Sequence, residues 1–324
     1  MRARQLMYVM MHKRRPMLFI LLLCFVATLY GPTFRLTLAL SQFTAAVESC
    51  TSFMSPLETV EDTADSFPYP VLDMLLSVDH IFVLSLHSCH IKLPKSFKDR
   101  ATCIIGQTLD SCAPRPFIRG PYAHALKVSF AHATVLHVAY FSKYKKIAVI
   151  EDDVYIRPRS YSKNLSNEFR SVLHSNAWSI IRFGFRPYFL EENSRAHCPR
   201  KCQCEIRTQI SQELCEMPRS GCDMRSSDFY VIHADFYLPL RNELLDLSNA
   251  DSKRIVDTRP MRKFRHQWLM LPQLSIQSHL DIPVDYQVGL SALYVKKCVH
   301  PRPLPRIMTQ QLLNISHCVN LLVD

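Results

Sequence analysis

One ten-residue stretch constrains this chain more than any other: Lys146-Ile-Ala-Val-Ile-Glu-Asp-Asp-Val-Tyr155. The apolar run Ile147 to Ile150 predicts a strand buried on both faces, as in a parallel sheet. It stops at three consecutive carboxylates, Glu151, Asp152 and Asp153. Three adjacent acids repel one another and are unsuited to a core, so they call for a cation or a ligand that carries one. Open α/β sheets hold ligands outside the carboxyl ends of their strands. The stretch therefore predicts an α/β domain with a divalent metal at a strand tip, an acidic surface turn being the alternative reading. Because side chains alternate along a strand, Glu151 and Asp153 are expected on one side and Asp152 on the other.

The surrounding sequence supplies further elements of the same class. His80–Ser85 and Ala101–Ile105 read as strands, and Pro121 opens a helical pattern to about Tyr140. A short helix over Ser166–His174, a strand over Trp178–Gly184, a strand over Ser227–His233 and a helix over about Phe236–Leu247 follow. A basic stretch, Lys253–Arg265, precedes a last strand at Ala292–Lys296. Strands alternating with helices argue for an α/β fold. The chain has six glycines and none forms a Gly-x-Gly pair. A dinucleotide fingerprint and a P-loop are therefore excluded, and any nucleotide must be held by side chains and metal.

The amino terminus predicts membrane attachment. Arg2, Arg4, Lys13, Arg14 and Arg15 precede an apolar run from Met17 that extends to Leu40 if Arg35 snorkels. We expect a cytosolic tail over 1–16, a signal-anchor over 17–40 and a stem over 41–78. The catalytic domain is expected over 79–324, on the lumenal side of a Golgi or endoplasmic reticulum membrane. A cleavable signal peptide is the rival reading of the apolar run. The tail carries five charges of a formal excess of +11; the remainder reads for the most part as a solvated surface, or else as attraction to an acidic substrate such as a nucleotide diphosphate. Nucleic acid is not an expected partner behind such an anchor. Of twelve cysteines, Cys24 lies in the apolar run, and Cys198, Cys202, Cys204, Cys215 and Cys222 form a Cys-rich insertion over 198–222. In a lumen this density implies disulfides with one cysteine left over. A zinc knuckle is the alternative. Two glycosylation sequons, Asn164-Leu-Ser166 and Asn314-Ile-Ser316, agree with a lumenal location.

Val149-Ile-Glu-Asp-Asp-Val154 resembles the metal motif of glycosyltransferase family 25, which includes bacterial lipooligosaccharide galactosyltransferases and collagen galactosyltransferases. Ile81-Phe-Val-Leu-Ser-Leu86 resembles the family's opening strand, and Lys127-Val-Ser-Phe-Ala-His132 its helical Ser-His segment. Ser227-Asp-Phe-Tyr-Val-Ile232 is similar to its late aromatic strand. Ile282-Pro-Val-Asp285, a following strand and His300-Pro-Arg-Pro303 resemble its late Pro-Val-Asp and closing proline-containing strand. The resemblance spans roughly Asp79 to Arg306. It implies a GT-A-like single domain with a mostly parallel central sheet and a UDP-sugar donor, galactose or similar. It also implies Mn²⁺ (or Mg²⁺) as cofactor and a glycan or glycoprotein hydroxyl as acceptor.

Roles follow residue by residue. Glu151 and Asp153 would hold the metal, with His300 as a third ligand. Asp152 would meet the ribose or the sugar. Asp285 is the candidate base for the acceptor hydroxyl, or else a helix cap or structural ion pair. His132 would contact the donor, or else be a satisfied core histidine. Arg182 would pair with a carboxylate or contact the diphosphate. A non-catalytic lumenal binding module that keeps the fold is the competing function, and metal-dependent hydrolysis of a nucleotide sugar is a third.

Overall fold

The computed structural model describes residues 45–50, 54–60, 69–114, 123–156, 162, 164–175, 178–187, 189–190, 193, 195–206, 213–222, 224–225, 228–245, 261–271, 275–277 and 284–301. Two compact units divide the chain, Met1–Ser49 and Cys50–Asp324. Of the first, residues 45–49 are described and are helical. Among the described residues no helix is long and apolar enough to cross a membrane. The expected tail and anchor, 1–40, lie outside them.

The second unit is a mixed α/β fold built on a ten-stranded sheet. Its strands are β1 (Met54–Pro56), β2 (His80–Ser85), β3 (Ala101–Ile105), β4 (Lys146–Glu151), β5 (Ile180–Arg182), β6 (Cys204–Ile206), β7 (Leu214–Met217), β8 (Phe229–His233), β9 (Gln267–Met270) and β10 (Val299–Pro301). Their spatial order is β1-β3-β2-β4-β8-β5-β9-β7-β6-β10. Seven strands run in one direction, and β1, β7 and β8 run against them. The apolar run of β4 behaves as its composition requires: Ile147, Ala148, Val149 and Ile150 are all 0% exposed.

Each face of the sheet is covered by helices. Helices α1 (Tyr69–Leu75) and α3 (Leu165–His174) bury Val71, Met74, Leu75, Leu165, Phe169 and Val172 against one face, with Ile81, Val83, Ala148, Ile150 and Phe229. In α3 the buried positions recur at intervals of three and four, the stripe of an amphipathic helix. The long helix α2 (Ala123–Phe141) lies over the opposite face and also packs against α4 (Tyr237–Leu245). Covered by both sheet and helix, α2 is buried almost without interruption from Ser129 to His137.

Three expectations change. The stretch read as a stem, 41–78, already contributes β1 and α1 to the sheet and core, because Leu57, Val71, Met74, Leu75 and Val78 are each at most 4% exposed. The strand expected at Ala292–Lys296 is helix: α5 runs Val284–Cys298, with Leu290, Tyr294 and Cys298 buried at helical spacing. The Pro-Val-Asp segment is thus followed by a helix, not a strand. Of the basic stretch, 253–260 lies outside the described residues, and Met261–Lys263 forms a single 3₁₀ turn.

Five disulfides pair Cys50–Cys112, Cys89–Cys103, Cys198–Cys298, Cys202–Cys222 and Cys204–Cys215. They use ten of the eleven cysteines beyond Cys24, and the one left over, Cys318, lies outside the described residues. The insertion's five cysteines are all bonded, so a zinc knuckle has no thiolates to bind.

Two buried histidines make the fold sensitive to acid. His80 stacks on Tyr144 at 4.8 Å and meets the Thr102 hydroxyl at 2.8 Å. Burial, helped by the Arg100 charge, lowers its pKa to about 4. His137 meets Arg241 Nη1 at 3.2 Å. Burial and then the Arg241 charge lower its pKa to about 4 as well. In the unfolded chain both take protons near pH 6.5. Their contribution to stability is thus present above pH 6.5 and is lost as pH falls towards 4. Urea melts should show stability falling between pH 7 and pH 4.5, with a flatter profile for His80→Gln. Identical profiles for the two proteins would remove His80 from this account.

Candidate functional site

The topology marks the carboxyl ends of β2 and β4 as the expected place for a ligand crevice. After β2 the chain moves out to β3, and after β3 it crosses back through α2 to β4, on the other side of β2. The path therefore reverses between β2 and β4. Such a switch point opens a crevice outside the strand ends, the usual ligand site of open α/β sheets. The three acids stand at this point.

They do not share one role. β4 ends at Glu151, and Asp152 and Asp153 form the turn that leads to the strand Val154–Ile156. The pleat that was expected to pair Glu151 with Asp153 therefore stops at the first of them. Glu151 Oε1 lies 3.0 Å from Nε2 of His132, on α2. His132 Nδ1 lies 2.9 Å from the Tyr230 hydroxyl, on β8. A carboxylate only accepts, so Nε2 carries the proton given to Glu151, and the phenol donates to Nδ1. Burial, with the Glu151 charge adding to it, holds the Tyr230 pKa well above its usual value, so this donor keeps its proton. His132 is 1% exposed and Glu151 14%. His132 thus stands behind Glu151 and orients it; it does not reach a ligand in the crevice.

Asp152 is a clamp. Its Oδ1 accepts the backbone N–H groups of His90 at 2.7 Å and Ile91 at 2.8 Å, and its Oδ2 accepts the Ser85 hydroxyl at 3.1 Å. The carboxylate expected at the ribose instead fixes the loop after β2, which the Cys89–Cys103 disulfide also ties to β3. Asp153, the next residue, is half-buried.

Arg182 is 1% exposed within the sheet, beside Tyr230, and its Nη1 donates to the Met224 carbonyl at 3.1 Å. It is a core cation, and the reading of it as a diphosphate contact is corrected. His300 stands in β10, six strands from β4. That separation is about 29 Å at ~4.8 Å per strand, beyond the reach of an imidazole towards Glu151. His300 is therefore not brought to the acids, and its side chain lies outside the described residues. The backbone of Asp285 is in the first turn of α5. That helix packs on the strand Ser275–Gln277, which pairs with Val154–Ile156 immediately after the acids. The Asp285 side chain lies outside the described residues.

Sequence reasoning singles out neither Asp228 nor Gly184, and the structure places both at the rim. Asp228 precedes β8, and its carbonyl accepts the Glu151 N–H at 2.7 Å. Its carboxylate is fully buried and accepts the Ser275 hydroxyl at 2.9 Å. The carboxylate lies directly over Gly184: a Cβ there would come within 2.4 Å of Asp228 Oδ2 and of Ser275 Oγ. The only available signal was an acid leading into an aromatic strand and a lone glycine ending another. Gly184→Ala should cost about 1–3 kcal/mol, because neither buried group has room to retreat. Chemical denaturation checks this, and an unchanged midpoint would show that the rim yields.

Carboxylate oxygens are the hard donors that Mg²⁺ and Mn²⁺ prefer. Glu151, the last residue of β4, and Asp153, in the turn after it, carry such oxygens. Among the described residues no group of three His, Cys, Asp or Glu side chains converges as a metal cage. An ion held by these two carboxylates would have to complete its shell with oxygens from water or a phosphate.

No family model and no curated protein matches this chain. Among solved structures it is similar to a UDP-glucose pyrophosphorylase complexed with UDP-glucose, at 11% identity and a TM-score of 0.30, covering 73% of this chain and 89% of that one. It is similar also to an apo UDP-glucose pyrophosphorylase, at 12% identity and a TM-score of 0.29, covering 73% of this chain and 92% of that one.

Proposed function

We propose that the crevice binds a UDP-sugar with a divalent cation, and that the chain is a glycosyltransferase acting on a glycan or glycoprotein hydroxyl. The observation that carries this reading is the placement of Glu151. A carboxylate at the tip of a strand whose four apolar residues are fully buried is held at the switch point by the Tyr230–His132 pair. Mn²⁺ or Mg²⁺, when bound, would act as a Lewis acid for the departing diphosphate, as the family 25 resemblance implies. Glu151 and Asp153 are the residues that would hold it. Asp152 keeps the β2 loop in place as one wall. Asp285, at the start of α5, is the proposed base that takes the acceptor's hydroxyl proton.

Five disulfides fit an oxidising compartment, which supports a lumenal location for the folded unit. Asn164 of the first sequon is exposed ahead of α3 and so accessible to a glycan.

The test is release of UDP from a panel of UDP-sugars by the purified protein, with Mn²⁺ and with EDTA, beside Asp153→Ala. Metal-dependent release that is lost in the variant supports the reading and names the donor. Binding of UDP with Mn²⁺ but no release from any donor, with a full acceptor panel present, would leave a binding module. Neither binding nor release would overturn the proposal.

A further inference from the structure

A second feature lies in the Cys-rich insertion, at the opposite edge of the sheet. Arg200, Lys201, Arg219 and Arg265, with Ser220, line a cleft of about 680 Å³. Arg265 precedes β9 by two residues, and Arg219 follows β7, which runs the other way, by two. Both therefore sit at the amino-terminal edge of β4. Glu151 is at its carboxyl-terminal edge, about 20 Å away along six residues of strand. The cleft is no extension of the acidic crevice.

Its charge is concentrated and its frame is covalent. All four cations are exposed, and among the described residues none is paired with a carboxylate. Glu216, the nearest acid on β7, is turned inward at 1% exposure and held by His266 at 2.6 Å. Three separate segments supply the cations. The 3₁₀ turn Arg200–Cys202 is bonded to the next segment by Cys202–Cys222. The β6–β7 pair is closed by Cys204–Cys215. Gly221, at φ +93°, brings its N–H to the Arg262 carbonyl at 2.5 Å and so docks the segment that carries Arg265. Only glycine adopts that φ without strain. Like charges are thus held together by cross-links and a specific turn, where a solvated surface would let them spread.

The lining identifies the ligand class. Guanidinium forks match the oxygens of a phosphate or sulfate ester two at a time. Pro199 and Pro218 give the walls apolar C–H surface, and among the described residues neither an aromatic ring nor an acid lines the cleft. A nucleobase could stack there only on a guanidinium plane, whereas a sugar ring bearing sulfates meets both its charge and its C–H face. The volume lies within the range of small-ligand sites. We propose that this cleft is a binding site for a sulfated oligosaccharide, separate from the crevice and independent of whether that crevice is catalytic.

Calorimetric titration of the full chain tests this, with a trisulfated heparin-type disaccharide, its desulfated counterpart, sodium sulfate and UDP as probes. The sulfated disaccharide should bind one per chain, at least about tenfold tighter than the other three. Arg219→Ala and Arg265→Ala should each weaken it about tenfold, and Arg219→Glu more, with melting temperatures unchanged because both side chains are exposed. Glu151→Ala should leave this affinity intact, which separates the result from that of the crevice. Equal binding of the desulfated sugar, sulfate or UDP overturns the proposal. So does full affinity in the arginine variants.

Discussion

Glu151→Ala should lower UDP release by about 10³-fold or more, and His132→Ala by about 10- to 100-fold. The first removes a carboxylate at the strand tip, and the second removes only what aims it. His132 Nε2 lies 3.0 Å from Glu151 Oε1 and is shielded from solvent. A loss in the His132 variant is therefore expected to act through the orientation of Glu151. The separating readout is metal affinity: the Mn²⁺ concentration for half-maximal activity should rise in His132→Ala, while kcat at saturating Mn²⁺ recovers part of its loss. Tyr230→Phe takes away the phenol proton that fixes the imidazole tautomer and should give a weaker version of the same shift. Wild-type Mn²⁺ dependence in His132→Ala would show that the histidine is only a core residue.

The largest effect on stability is expected from the Cys198–Cys298 bond. It closes 100 residues and joins the insertion to the end of α5. Chain entropy alone assigns such a loop about 4.7 kcal/mol. The nested Cys202–Cys222 and Cys204–Cys215 bonds already restrict the unfolded loop, so about 3 kcal/mol is expected from Cys198→Ser with Cys298→Ser. The two half-cystines sit among Phe185, Leu190, Leu290 and Tyr294, a second apolar cluster that the bond holds together. Urea melts of the double variant should show the loss. A change below about 1 kcal/mol would mean that packing alone seats α5.

The strand tip was legible because β4 combines two strong local signals, an unbroken apolar run and an abrupt change to acid. Both are consequences of burial, and the structure gives all four apolar residues no exposure. The helix carrying His132 was legible for the same reason. What no local pattern held was partnership. Asp152 looks like its neighbours in the sequence, yet it is spent on the amides of His90 and Ile91, some sixty residues earlier. Arg182 reads as a carboxylate partner or a diphosphate contact, but the sheet order encloses it beside Tyr230. His300 is near the acids only if β10 is near β4, and strand order is not written in any one strand. The apolar stripe of α5 was misread as a strand because Ala292-Leu-Tyr-Val is short and uniformly apolar, a run that fits both periods. Asp228 and Gly184 depend on each other across two strands, so neither stands out alone.

The account stands on Glu151 and Asp153 forming a cation-assisted nucleotide site in the switch-point crevice. Calorimetric titration of UDP into the purified protein, with Mn²⁺ and with EDTA, tests that most directly, with Glu151→Ala measured alongside. The account predicts saturable binding of one UDP per chain that requires Mn²⁺ and is lost in the variant. UDP binding that persists unchanged in Glu151→Ala or in EDTA would place the nucleotide elsewhere and contradict it.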